Sequence, residues 1–158
     1  MPIRGTKSLA FSPDGRALAA SSYLHNEILL WDLAAGRERA RLQGHQSPVI
    51  SLAFAPDGHS LASGSLSDPA IILWDPSSGR PQRRLGVPPG PVHSLTYSPD
   101  GGLLASAGTF DDPIRLWGRH AGRPDRLIGD HARSRNPVAF SPDGRLLATA
   151  SLRGAVRL

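Results

Sequence analysis

Serine, histidine and aspartate recur in this sequence at positions that could build a nucleophilic triad. His45, Ser63 and Asp68 fall within one stretch of 24 residues, and a serine hydroxyl activated by a carboxylate-oriented imidazole is the machinery of many hydrolases. The same residue types return further along the chain, at Ser106, Asp111, His131 and Thr149. An active site needs only one nucleophile, whereas here the same set of residues occurs several times along the chain. This recurrence favours a structural role over hydrolysis.

The other reactive groups form no pattern that indicates catalysis or metal binding. The remaining histidines are scattered along the sequence, at His25, His59, His93 and His120. Cysteine is absent, which excludes a thiolate nucleophile and disulfide bonds, and neither a P-loop nor a dinucleotide-binding fingerprint occurs. We therefore expect no catalytic residue, no metal ligand and no cofactor.

A hairpin that occurs four times must position these residues. The stretch LAFSPDGRALAA at 9–20 returns as LAFAPDGHSLAS, LTYSPDGGLLAS and VAFSPDGRLLAT, each copy 43 residues after the one before. In each copy a proline fixes the second position of a type I turn, and a glycine ends the turn without steric cost. The turn residues are Pro13, Asp14, Gly15, Pro56, Asp57, Gly58, Pro99, Asp100, Gly101, Pro142, Asp143 and Gly144.

Strands flank these turns, because hydrophobic residues alternate with a period of two and glycine or proline separates the runs. In the first unit we predict strands near 7–12, 17–22, 27–32 and 37–42, which form a four-stranded antiparallel meander. An aromatic residue precedes each turn and a leucine follows it, so the hairpin brings both into one layer. These pairs are Phe11 and Leu18, Phe54 and Leu61, Tyr97 and Leu104, and Phe140 and Leu147.

On these features the chain resembles the WD-repeat family of β-propellers. The matching motifs are the SPDG turn, the 43-residue period, the Trp-Asp pairs at 31–32 and 74–75, and the Gly-His pair at 44–45. The resemblance covers essentially the whole chain. It implies an all-β protein in which blades of four antiparallel strands pack radially around a channel.

The resemblance also implies a role for the serine, histidine and aspartate residues. In WD repeats a histidine, a strand serine or threonine, a turn aspartate and the tryptophan form a buried hydrogen-bonded tetrad. By position, the tetrad residues are His45, Ser63, Asp68 and Trp74 in the second unit, Ser106, Asp111 and Trp117 in the third, His131 and Thr149 in the fourth, and Trp31 in the first. The other tetrad positions carry Pro2, Ala20, His25, Pro88 and Arg153 or Gly154. Only the second unit is complete, so we expect its blade to be the most rigid.

The number of units is smaller than a propeller needs. Within a single domain over 1–158, the blade units span about 1–43, 44–86, 87–129 and 130–158, which amounts to about 3.7 blades, whereas propellers typically have about four to eight. We expect an open arc rather than a closed ring. The arc would be a fragment whose parent protein supplies the remaining blades; the alternative is a second copy that completes the ring.

Charge and hydrophobicity narrow the choice of partner. The net charge is +5, and seventeen of the eighteen basic residues are arginine, a bias that suggests a bacterial, GC-rich genome. The denser basic stretches at 80–84 and 119–126 lack interleaved aromatic residues on which bases could stack, so we disfavour nucleic acid. No apolar run approaches the roughly 20 residues of a membrane helix, and the first residues lack the apolar segment of a secretory signal. We expect no membrane partner and, by default, a cytoplasmic location.

The resemblance implies a non-enzymatic scaffold for protein–protein interaction. Loops between the second and third strands are where a rigid scaffold varies its binding surface. The candidate partner-binding residues in these loops are Tyr23, Leu24, Leu66, Phe110 and Arg153, unless the apolar side chains pack under their own loops. Two alternatives link the chain to catalysis: a regulatory or sensor segment of a larger signalling enzyme such as a bacterial kinase, and a propeller hydrolase.

Overall fold

The computed structural model describes residues 5–86, 90–108, 113–118, 124, 126–128, 137–150 and 156–158. Within these residues the regular structure consists of β-strands, with no helix. The strands form four antiparallel sheets in which consecutive strands are neighbours, and we name these sheets blades one to four. The predicted all-β fold of propeller blades is confirmed.

The strands follow one another in chain order through the four blades. Blade one contains β1 (Leu9–Phe11), β2 (Ala17–Ser21), β3 (Glu27–Asp32) and β4 (Arg37–Gln43). Blade two contains β5 (Val49–Phe54), β6 (Leu61–Ser65), β7 (Ala70–Asp75) and β8 (Arg80–Gly86). Blade three contains β9 (Ser94–Tyr97), β10 (Leu103–Ala107), β11 (Ile114–Gly118) and β12 (Arg126–Ile128). In blade four the described residues form three strands, β13 (Val138–Phe140), β14 (Leu147–Ala150) and β15 (Val156–Arg157).

Every hairpin turn between the first two strands of a blade is closed by the same backbone hydrogen bond. The Gly15 N–H donates to the Ser12 carbonyl at 2.9 Å, and the equivalent bonds of the other three turns measure 2.8 to 2.9 Å. The turn glycines have φ values of 68° to 71°, a left-handed conformation that glycine adopts without a steric penalty. Beyond the turn Phe11 lies directly opposite Leu18, and the same aromatic and leucine pair recurs in every blade, as the sequence predicts.

The hydrophobic core lies between the blades. Ala19, Ile28, Leu30 and Leu42 of blade one pack against Val49, Leu52, Leu61, Ile72 and Trp74 of blade two. Positions 43 residues later pair blade two with blade three, where Ala62, Ile71 and Leu85 meet Leu95, Leu104 and Trp117. Blades three and four pack through Ala105, Ile114 and Leu116 against Val138, Phe140 and Leu147. Blades two and three therefore each pack against both the preceding and the following blade.

The arc formed by the four blades is open, as predicted. In the described part of the chain no blade covers the outer face of blade one, where Leu9 and Phe11 are 60% and 65% exposed. Leu52 occupies the position of Leu9 in blade two and is only 8% exposed, because blade one packs on it. The exposed face of blade one therefore carries apolar residues of the kind that a neighbouring blade covers in blade two.

Serines near the start of the inner strands connect neighbouring blades. Ser8 Oγ accepts a hydrogen bond from the Leu52 backbone N–H at 3.1 Å, and Ser94 Oγ accepts one from Val138 at 3.1 Å. Ser51 instead donates its hydroxyl to the Val92 carbonyl at 2.6 Å. These three serines are spaced by 43 residues, so the period carried a signal for them that the sequence analysis missed.

Candidate functional site

The polar tetrad of blade two is assembled in the structure. His45, at the start of the segment that leads into β5, lies with Nδ1 2.6 Å from Asp68 Oδ2 and Nε2 2.7 Å from Ser63 Oγ. Trp74 donates its Nε1–H to the same Ser63 oxygen at 2.7 Å. Gly44 makes room for this arrangement, since a Cβ at that position would lie 3.0 Å from Trp74 Cη2.

The burial of His45 favours a neutral imidazole. The indole of Trp74 can only donate, so Ser63 Oγ accepts its N–H, and the Ser63 hydroxyl can itself donate to His45 Nε2 or to the Ile72 carbonyl, which lies 3.3 Å away. Burial lowers the pKa of His45 below its ordinary value of 6.5, and the hydrogen bond and charge of Asp68 only partly oppose this effect. The backbone N–H of Gln46 also donates to Asp68 Oδ2, at 2.9 Å.

This geometry supports stability and gives no access to a substrate. All four side chains of the tetrad are buried, and the Ser63 oxygen is already engaged by both the indole and the imidazole. A nucleophilic serine must instead reach a substrate carbonyl beside an oxyanion-binding group. The arrangement therefore satisfies buried polar atoms, as such networks must.

Acidification is expected to destabilise the protein through His45. Because the folded-state pKa is lowered, the unfolded chain binds the proton more readily, so the stability that neutral His45 supports is present above about pH 6.5 and is lost as the pH falls below it. Urea unfolding at pH 8 and pH 5 measures this loss. His45→Gln should reduce the pH dependence, whereas the control His25→Gln, at an exposed loop residue, should retain it. An unchanged pH dependence in His45→Gln would contradict the assignment.

The other blades retain parts of the tetrad. In blade three Trp117 donates its Nε1–H to Ser106 Oγ at 2.9 Å, while Pro88 and Asp111 lie outside the described residues. In blade one Ala20 offers no hydroxyl, and Trp31 is half-buried. In blade four Thr149 is buried, whereas His131, Arg153 and Gly154, like Pro2 of blade one, lie outside the described residues.

Three of the candidate partner-binding residues, Tyr23, Leu24 and Leu66, lie in loops at the opposite end of the sheets from the SPDG turns. Tyr23 and Leu24 are 38% and 60% exposed, in the loop that joins β2 to β3. Lys7 Nζ lies 5.5 Å from the centre of the Tyr23 ring, and the Tyr23 N–H donates to the Gly5 carbonyl at 3.1 Å. Leu66, in the equivalent loop of blade two, is half-buried. Phe110 and Arg153 lie outside the described residues.

At the turn end of the sheets, aspartates and serines stabilise the turns electrostatically. Hydrogen bonds from the Ser12, Ser98 and Ser141 hydroxyls, followed by backbone N–H donors, lower the pKa values of Asp14, Asp100 and Asp143. The hydroxyls of Ser77 and Ser78 lower the pKa of Asp75 to about 2. These carboxylates are therefore ionised at neutral pH and hold the turns rather than a ligand.

A cavity of about 230 Å³ also lies at the turn end, between blades two and three. Its walls come from both hairpin turns and from the strands that follow them, and it includes Ala55, His59, Tyr97 and Gly102. No local pattern in the sequence predicts this site, because it forms only where two turns that are 43 residues apart lie side by side.

The described part of the chain contains neither a cluster of metal-ligating side chains nor a membrane-spanning helix. Its histidines, aspartates and glutamates nowhere gather in a group of three or more that could hold a metal ion. No helix suited to crossing a membrane is present in the same residues.

Comparisons with known proteins place the chain among repeat proteins. The family model described as WD domain, G-beta repeat matches residues 5–32, 36–75, 79–117 and 138–158. A search of curated protein sequences gave no match. Among solved structures 1271 chains match, so similarity of fold does not by itself indicate one activity.

Two of the similar structures show how much of a larger fold the chain represents. Hydrazine synthase from Kuenenia stuttgartiensis is 19% identical, with a TM-score of 0.85 over 96% of this chain and 44% of that one. A chain in the crystal structure of the mitotic checkpoint complex is 27% identical, with a TM-score of 0.83 over 92% of this chain and 44% of that one. This chain thus spans less than half the length of each, and at 19% identity the first comparison supports the fold alone.

Proposed function

The chain belongs to the WD40 family of G-beta repeats, and from this premise we propose that it is a non-enzymatic scaffold that binds another protein through its β2–β3 loop. Propellers of this family generally bind other proteins. A similar structure, 27% identical, is part of a multiprotein assembly, the mitotic checkpoint complex, which supports an assembly role here.

The observation that carries the proposal is the exposure of Tyr23 and Leu24 side by side in one loop. Leu24 is 60% exposed, and an apolar pair on a loop held by two paired strands can bury its surface against a partner without reordering the scaffold. Tyrosine is enriched at the centres of protein interfaces. Lys7, beside the Tyr23 ring, adds a positive charge to the same surface.

The double substitution Tyr23→Ser and Leu24→Ser is expected to abolish partner binding without unfolding the chain. The matched control is Leu33→Ser, which removes a leucine that is 43% exposed at the opposite end of blade one. Proteins that crosslink to the wild-type chain in cells should be identified by mass spectrometry, and their binding measured with purified components. A partner that binds wild type and Leu33→Ser but loses at least about tenfold affinity for the double variant supports the proposal. Equal binding to all three would overturn it.

A further inference from the structure

The cavity between blades two and three is lined by four hairpin residues that differ from the residues at the same positions in other repeats. Ala55 stands where the other three turns carry serine, and Tyr97 where the other three hairpins carry phenylalanine. Two turns have arginine after the SPDG glycine, at Arg16 and Arg145, whereas this cavity has His59 from one blade and Gly102 from the next. All four departing residues line the cavity. In an internal repeat the other copies show what the fold alone requires, so departures that converge on one space indicate a local purpose.

The cavity has an apolar floor and a polar rim. Leu73, Leu85, Leu104 and Trp117 lie at the floor, where the cores of blades two and three meet. Ser60, Tyr97 and Gln82 supply neutral hydrogen-bonding groups in the lining. The Gln82 Nε2–H donates to the His59 carbonyl at 2.9 Å, and the Tyr97 hydroxyl lies 3.5 Å from Ser60 Oγ, so these groups link the turn of blade two to its outer strand and to blade three.

Size and charge select the class of ligand. At about 30 Å³ per water, the 230 Å³ cavity has room for about eight non-hydrogen atoms, which is one ring with a substituent and less than the about 300 Å³ needed for a drug-sized molecule or cofactor. The Asp57 carboxylate lines the same space and would repel an anion while accepting a hydrogen bond from a hydroxyl. A neutral ring with a polar tip, such as a phenol, can pack its ring on the apolar floor and form a hydrogen bond with the polar rim.

We propose that this cavity holds one tyrosine side chain of a protein partner. The site lies at the turn end of the sheets and is therefore separate from Tyr23 and Leu24, at the loop end. The inference rests on the proposed scaffold function and adds a second contact to it, in which the ring packs on Trp117 and the leucines while its hydroxyl meets Asp57 and the neutral groups of the rim.

The test uses p-cresol, which is the tyrosine side chain alone, and toluene, which lacks the hydroxyl. In 1H–15N NMR spectra of the intact chain, p-cresol should cause saturable shifts in the Trp117 indole and Gly102 amide signals, with a Kd on the order of 1 mM for so small a ligand. Toluene should bind at least about tenfold more weakly, because it lacks the hydroxyl that would donate a hydrogen bond to the Asp57 carboxylate, and hydrogen bonds to charged groups are the stronger ones. Binding of toluene with equal affinity would overturn the tyrosine assignment.

Gly102→Arg blocks the cavity with the residue that two other turns already carry. A Cβ at Gly102 meets only the Asp100 carboxyl, at 3.3 Å, so the turn should form as it does at Arg16 and Arg145. The control Ala34→Arg adds the same side chain to an exposed turn at the same end of blade one. We expect p-cresol shifts to vanish in Gly102→Arg and to persist in Ala34→Arg, with both variants keeping the wild-type urea midpoint.

Either of two results would overturn the inference: no saturable p-cresol shift in the wild-type chain, or shifts that persist in Gly102→Arg. If Gly102→Arg unfolds, Tyr97→Phe provides a second test, since it restores the residue of the other hairpins and should weaken p-cresol but not toluene. None of these measurements needs the natural partner. Failure of the Tyr23 and Leu24 experiment would therefore count against the scaffold function, and failure with p-cresol against this cavity alone.

Discussion

Gly64→Ala is expected to lower the free energy of unfolding by about 1–3 kcal/mol or more, the range for overpacking a filled interior. A Cβ at Gly64 would lie 2.6 Å from Ser51 Oγ and 2.6 Å from both Cβ and Cγ1 of Val92. These side chains or the backbone of Gly64 would therefore have to move. Val92 cannot move freely, because its N–H donates to the Ser65 carbonyl at 2.9 Å and its own carbonyl accepts from Ser51 at 2.6 Å. The added methyl group would therefore push blade three away from blade two.

Gly86→Ala is the matched control for this prediction. Gly86 also lies in a strand of blade two, but a Cβ there has no atom within 4 Å, so the change should stay within about 0.5 kcal/mol of wild type. Urea unfolding monitored by tryptophan fluorescence measures both variants. Equal stability of Gly64→Ala and Gly86→Ala would show that the contact between blades two and three is looser than the structure describes.

Gly64 also illustrates what the sequence could not reveal. At this position the other blades carry Ser21, Ala107 and Ala150, so the repeat suggests that a side chain is tolerated. The requirement for glycine arises from the distance between β6 and the segment entering blade three, which no pattern within one repeat encodes. The inter-blade serines show the same limit, since their partners lie 41 or 44 residues away on another sheet.

The strands could be predicted because they are local and periodic, whereas the tetrad of blade two was an expectation that the family resemblance implies. Alternation with a period of two locates the strands to within a few residues, and the 43-residue spacing aligns His45, Ser63, Asp68 and Trp74 with their repeat positions. The cavity between blades two and three could not be predicted in this way, because it forms only where two hairpin turns that are 43 residues apart lie side by side. Similarity between repeats thus predicted the blades, and the proposal for the cavity rests on the differences between repeats.

Ser63→Ala is expected to destabilise the protein by about 2–6 kcal/mol, because its single hydroxyl oxygen serves the buried side chains of His45 and Trp74. Its loss leaves both His45 Nε2 and Trp74 Nε1–H without the oxygen that lies 2.7 Å from each, and each unsatisfied buried group costs about 1–3 kcal/mol. No water can replace the hydroxyl without a cavity, and Ser63 and Trp74 are almost completely buried. Urea unfolding at pH 8, where His45 is neutral, measures the effect.

Ser106→Ala in blade three separates the contribution of the tryptophan from that of the histidine. Ser106 Oγ accepts a hydrogen bond from the Trp117 indole at 2.9 Å, but its blade has Pro88 at the histidine position. With one partner in place of two, this variant should cost about 1–3 kcal/mol, clearly less than Ser63→Ala. Equal losses in the two variants would mean that the bond to His45 contributes nothing. A larger loss in blade two would show that the bond between Ser63 and His45 adds to the stability that the serine-to-indole bond supplies in both blades.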